Sequence, residues 1–174
     1  MKKLVLSLLM TLLAFPAMEA DPVEAFTVDF TTKTTEWPSI QSYSQSNDSK
    51  VNYGGSKWTI YAMSNNQGAW DYMRCGAKST SKGDFYILNK SAIAEKLTKA
   101  ELIVSNKIRE TINSATLKVA DNYQFTNATD YPVSSASDLS NAGTWTFNIS
   151  NPIANGYYKL VINYHYCPLK NGRG

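Results

Sequence analysis

Polar and apolar side chains alternate with period two in a series of short runs along this 174-residue chain. From Ala25 to Phe30, Phe26, Val28 and Phe30 fall on one side, Thr27 and Asp29 on the other. Lys57 to Ala62 repeats the pattern with Trp58, Ile60 and Ala62, and Trp145, Phe147 and Ile149 alternate with Thr144, Thr146 and Asn148. The longest run is Tyr157 to Tyr166, where Tyr158, Leu160, Ile162, Tyr164 and Tyr166 share a face. Successive side chains of a strand point to opposite sides, so this spacing predicts strands with one dry and one wet face. Trp70 to Cys75, Asp84 to Leu88, Glu101 to Ser105 and Ser114 to Val119 read as strands too.

Between these runs lie NYGGS, SNNQG, STSKGD, SSASDLSNAG and SNPIANG. Each offers residues that tolerate positive φ or bond their own backbone, and each reads as a turn. Only Ser91 to Lys99 has a helical look, with Ser91 as a cap and Ala92, Ile93, Ala94, Glu95 and Leu97 supplying a turn or two. About eight short strands and almost no helix predict an all-β fold, a two-sheet antiparallel β-sandwich of jelly-roll type. No internal repeat or heptad points to a propeller or solenoid.

The first twenty residues have a different pattern. Lys2 and Lys3 precede an apolar run from Leu4 to Phe15, Pro16 ends it, and Ala17 and Ala20 follow. That is the layout of a secretory signal peptide, and the run falls short of the ~20 apolar residues that span a bilayer. The expected division is a signal peptide over 1–20 and the sandwich over 21–174. The mature protein is then exported, to the periplasm, the cell surface or the medium. No Cys stands near the junction to carry a lipid. At the other end, Asn171 and Gly172 supply a hairpin-type turn with no strand after it, the pattern of a sandwich lacking its final strand.

Export makes the two cysteines, Cys75 and Cys167, candidates for a disulfide. It would close a loop of about 90 residues and contribute roughly 4 kcal/mol in the chain-entropy model. The alternative is a pair of buried thiols acting as small apolar residues. The whole chain has a net charge of +3, which loss of Lys2, Lys3 and Glu19 lowers by one, and no run of like charges occurs. Strong attraction to nucleic acid or to an anionic membrane is not indicated.

Catalytic signatures are sparse. His165 is the only histidine, set in a YHY alternation opposite the face of Tyr164 and Tyr166. A Ser-His-Asp triad needs a serine on a strained turn beside that imidazole, and no G-x-S-x-G occurs. Cys167 lies two residues from His165, but no orienting partner follows from the spacing. The acidic residues form no recognisable glycosidase pair, and no phosphate-binding glycine loop appears. Asp21, Asp29, Asp71 and Asp121 are the carboxylates a sandwich would offer to calcium, yet no D-x-D-x-D loop supports such a site. No catalytic residue, metal or cofactor is therefore expected.

The aromatic residues carry more. Sugar rings present C–H faces that stack on exposed Trp or Tyr, while amides, carboxylates and guanidinium groups bond the hydroxyls. Trp37 lies in the polar stretch TTKTTEWPSIQSYSQSND, where no core pattern surrounds it. Trp70 follows a turn and precedes Asp71, Tyr72 and Arg74. Trp58 and Trp145 fall on alternating strands and are expected in the core. The candidate binding residues are Trp37, Trp70, Asp71 and Arg74.

The order of motifs resembles the galactose-binding-like jelly rolls found as exported β-sandwich modules in Gram-negative gut anaerobes. YMRCGA precedes a G-x-x-Y-I segment at Gly83 to Ile87, then KAELIVSN, SATLKVADN, a W-x-F-x-I strand at Trp145 to Ile149 and a Y-Y-K-L-x-I strand at Tyr157 to Ile162. The resemblance spans roughly residues 25 to 166 and rests on strand patterns. It implies an accessory domain beside a hydrolase or nuclease, or a surface protein, and it carries over no catalytic residue.

The leading expectation is a non-catalytic exported module that contacts glycans or other surface polymers through loops. The alternatives are a structural or adhesion subunit associating by strand pairing, with a neighbouring domain or protein as partner, and a small secreted hydrolase.

Overall fold

The computed structural model describes residues 25–30, 35–75, 82–104, 110–135, 139 and 141–166, and over them the chain is all-β without an α-helix. The expected signal peptide, the closing turn and Cys167 lie outside the described residues, and with Cys167 the disulfide expectation. The strands are β1 (Ser46–Asp48), β2 (Trp58–Tyr61), β3 (Met63–Ser64), β4 (Arg74–Cys75), β5 (Lys82–Asn89), β6 (Lys99–Val104), β7 (Glu110–Ala120), β8 (Thr129–Pro132), β9 (Gly143–Asn148) and β10 (Tyr157–Tyr166). Every pairing is antiparallel. Six strands form one sheet in the order β1-β2-β5-β10-β7-β8, β6 pairs with β9, and β3 with β4 makes a short ribbon.

The alternation of β10 explains its central place. Leu160 stands between Ile87 and Leu117, and Ile162 between Phe85 and Ala115, so three strands turn apolar side chains to the same side. Opposite them, β9 contributes Trp145 and Phe147, and β6 adds the half-buried Leu102 and Ala100 that face those two residues across the ladder. Burying each large apolar side chain contributes about 1.5–3 kcal/mol, which makes this interlayer the main source of stability. The chain weaves between layers, from β5 to β6, back to β7 and β8, out to β9 and home to β10. At one crossing Val133 N–H still bonds Ala115 O at 3.0 Å while Ser134 N–H already bonds Thr146 O at 2.8 Å. This is the two-layer antiparallel sandwich that the alternation predicts.

Two strands cannot cover six, and irregular segments complete the second layer. Residues 25–30 keep their alternation, with Phe26, Val28 and Phe30 packed on the core, but form no ladder, contrary to the strand expected there. Gly54, at φ 56°, admits the Phe26 ring so closely that a Cβ would lie 2.6 Å from it. The helix expected over 91–99 is absent. Ile93 instead exchanges two backbone hydrogen bonds with Gly156, both 2.9 Å, and is itself fully buried. Asn89, 0 % exposed, fixes that arrangement: its Nδ2 donates to Ser91 O at 2.8 Å and Gly156 O at 3.2 Å, and its Oδ1 accepts from Tyr158 N–H at 2.6 Å. A buried amide satisfied three ways draws the backbone away from helix formation.

The strand expected from Trp70 to Cys75 shrinks to Arg74–Cys75. Ala62 explains how this ribbon leaves the main sheet. Its φ of 60° ends at Tyr61 the strand expected over Lys57 to Ala62 and redirects Met63 and Ser64 to pair with Cys75 and Arg74.

Candidate functional site

The ribbon and the turn between its two strands place an aromatic and cationic cluster at the surface. Asn66, Gln67 and Gly68 follow one another with φ of 51°, 58° and 81°. Left-handed backbone costs a non-glycine residue roughly 1–2 kcal/mol, so two such residues in succession need support. Asn65, 2 % exposed, supplies it: its Oδ1 accepts from Ile40 N–H at 2.8 Å and Gly68 N–H at 3.1 Å, and its Nδ2 donates to Pro38 O at 2.8 Å. The equally buried Ser64 donates to Ile40 O at 2.9 Å and accepts from Asn66 N–H at 3.0 Å. Trp70 N–H closes the turn on Asn65 O at 3.2 Å.

Trp70 leaves this turn half-buried and stacks on Tyr72 with ring centres 5.3 Å apart and planes 5° from parallel. The Arg74 guanidinium lies 5.9 Å from the Trp70 ring centre. Parallel stacking adds about 0.5–1.5 kcal/mol beyond burial and holds both rings in one orientation. Tyr72 is the more exposed partner, at 45 %. Arg74 is exposed and has no carboxylate partner among the described residues. Tyr43 lies in the same neighbourhood. Burial pushes its hydroxyl above the usual tyrosine value, while the Arg74 charge and a hydrogen bond with Ser64 pull partly back. The rim is polar: Ser42 and Ser44 share a hydrogen bond of 2.8 Å, and Gln67 bonds Gln41. Asp71 is exposed beside the cluster.

Three of the four expected binding residues, Trp70, Asp71 and Arg74, thus lie on this one segment. Trp37 does not stand at the surface. It is 0 % exposed, lies between Phe30 at 5.4 Å and Tyr53 at 6.4 Å, and donates its Nε1–H to Asp29 O at 2.7 Å. Its polar sequence neighbourhood reflects an irregular segment that plugs the core, not an exposed loop. Tyr72 and Tyr43 are site residues that strand periodicity alone does not select. For Tyr72 the signal was its two-residue spacing from Trp70 and Arg74, while Tyr43 arrives through tertiary packing. Trp58 and Trp145 sit in the core, 8 % and 2 % exposed.

A second aromatic row on the open face of the large sheet is already occupied by its own neighbours. Tyr61 and Tyr86 stack at 4.9 Å, and Lys159 Nζ lies 4.4 Å from the Tyr86 ring centre. Among the described residues no group of three His, Cys, Asp or Glu side chains is placed to hold a metal ion, and no helix is long and apolar enough to cross a membrane. The chain matches no protein-family model, no curated protein and no solved structure.

Proposed function

We propose that this is an exported, non-catalytic accessory module that holds a glycan or similar hydroxyl-rich surface polymer on the Trp70–Tyr72–Arg74 cluster. The observation that carries the reading is a parallel aromatic pair, one ring 45 % exposed, set beside a guanidinium that has no carboxylate partner among the described residues, on a heavily braced turn. The Tyr72 ring offers a sugar's C–H face a flat apolar partner, Arg74 offers bidentate donors to ring hydroxyls, and the Ser and Gln rim adds amide and hydroxyl groups. Bracing the turn lowers the ordering cost of binding. Glycan-array binding of the secreted chain is the test. We expect one polysaccharide class to be retained, and retention to fall about tenfold or more in Trp70→Ala and Tyr72→Ala, the loss of roughly 1.4 kcal/mol. Binding that survives both substitutions contradicts the assignment.

One observation favours a second reading, association by strand pairing. On β6, which among the described residues pairs only with β9, Ile103 is 78 % exposed. An apolar edge strand is a template for another strand. Light scattering decides: a concentration-dependent dimer abolished by Ile103→Lys supports it, and a monomer at all concentrations removes it.

A further inference from the structure

Away from the aromatic cluster, the far end of the large sheet holds an open depression of about 450 Å³ between the β7–β8 loop and the segment after β9. Its floor is apolar, formed by Val119, Tyr131 and Ile153, and its rim is polar, formed by Asp121, Asn127, Thr129 and Asn151. We propose that this depression is a second binding site, for a single neutral, hydroxyl-rich group such as a terminal sugar residue. This goes beyond the polymer-holding role of the Trp70 cluster and does not depend on it.

The chemistry of the rim selects the ligand class. Among the described residues Asp121 is the only charged side chain lining the depression, with no lysine or arginine beside it, so an anion meets no counter-charge from them. Amides and hydroxyls that both donate and accept match the alternating donors and acceptors of sugar hydroxyls. The side chains of Asn127, Thr129 and Asn151 make no hydrogen bond among the described residues, which leaves them free to bond a ligand. The size suits one or two sugar rings with their bridging waters.

The rim is also built in advance. Phe125 and Asn127 both hold left-handed backbone, with φ of 55° and 56°. Asn122 stabilises that loop at both ends of its side chain, donating to Thr126 O and accepting from Thr126 N–H, each at 3.1 Å. Phe125 N–H adds a 3.1 Å bond to Asn122 O. The loop is tied to the sheet by Tyr123, edge-on to Tyr157 at 6.0 Å, and by Phe125, whose ring centre lies 5.9 Å from Lys159 Nζ. Across the opening, Asn151 N–H donates to Tyr131 Oη at 3.3 Å, which sets the opposite wall against the floor. Strained backbone held in place by its surroundings clusters at ligand clamps and other functional sites.

The test is an amide-resolved NMR titration of the secreted chain with galactose, xylose, mannose and N-acetylglucosamine, each to about 20 mM to reach weak affinities. N-acetylneuraminic acid serves as the anionic control. We expect saturable shifts from at least one neutral sugar, confined to residues 119–131 and 151–153, and none from the control. Asn127→Gly keeps the left-handed backbone while removing the amide, and together with Asn151→Ala it is expected to weaken binding about tenfold or more. Both changes lie on the exposed rim, and dispersed amide spectra will show that the variant is folded. Trp70→Ala should titrate like the parent, which separates this site from the aromatic cluster. No shift from any neutral sugar, shifts centred on 70–74, or an unchanged titration in the double variant would each overturn the proposal.

Discussion

Asn65 and Ser64 are almost fully buried, yet their polar atoms determine how the half-buried Trp70 is presented. Replacing Asn65 with Ala leaves Ile40 N–H and Pro38 O without their side-chain partners, while Gly68 N–H keeps its bond to Asn65 O. Each unsatisfied group costs about 1–3 kcal/mol, so we expect Asn65→Ala to lower unfolding stability by about 2–4 kcal/mol and to weaken polymer retention with it. Gln67→Gly should act in the opposite sense on stability, raising it by about 0.5–1 kcal/mol, because glycine accepts a φ of 58° without the Cβ penalty. Urea unfolding of the two variants checks both signs. The tryptophans show what single residues disclosed in the sequence. Trp58 and Trp145 were legible as core because their neighbours alternate. Trp37 was not, since its burial comes from stacking with Phe30 and Tyr53, partners that no local period announces.

At the scale of elements, β5, β7, β9 and β10 were readable because strict alternation meets a sheet with one dry face. The segment 25–30 alternates equally well but forms no ladder among the described residues. Its alternation therefore specified burial correctly and the ladder incorrectly. Over 91–99 the helix-compatible composition yields to Asn89 and the Ile93–Gly156 bridge, a tertiary effect beyond local propensity. The irregular segments bring a titration signature. Tyr53 Oη bonds Asp29 O at 3.2 Å and the Glu36 carboxylate, and burial together with the Glu36 charge pushes its ionisation well above the usual tyrosine value. The folded chain thus holds that proton more tightly than the unfolded chain. The contribution is complete below about pH 10 and is lost as pH rises from there toward the folded value. We expect the urea midpoint to fall above about pH 10, and Tyr53→Phe to be less stable at neutral pH with a shallower alkaline decline. Asp48 acts at the acid end: burial alone would raise it, but hydrogen bonds from Lys90 at 2.5 Å and Thr59 at 2.6 Å outweigh that and lower it. Its contribution is present above about pH 4 and lost as pH falls through the folded value, and solvent screening of the exposed pair keeps it below about 1 kcal/mol.

For the whole molecule, the sandwich supplies a rigid frame whose two ends carry different chemistry. The ribbon end presents stacked rings and a guanidinium, and the loop end a concave rim of amides. The layered fold was legible from the sequence, whereas the second site was not, because its lining gathers residues from β7, β8 and the segment after β9. The four tryptophans allow a direct test of the central claim, that Trp70 and Tyr72 receive a polymer. Trp37, Trp58 and Trp145 are 0 %, 8 % and 2 % exposed and should not respond to a surface ligand, while Trp70 is half-buried under its stacked partner. The measurement is intrinsic tryptophan emission of the chain titrated with a panel of neutral polysaccharides, alongside Trp70→Phe. The expected result is a saturable change in emission with at least one polysaccharide that disappears in Trp70→Phe. An emission spectrum that no polysaccharide alters, or a response that persists unchanged in Trp70→Phe, would contradict it.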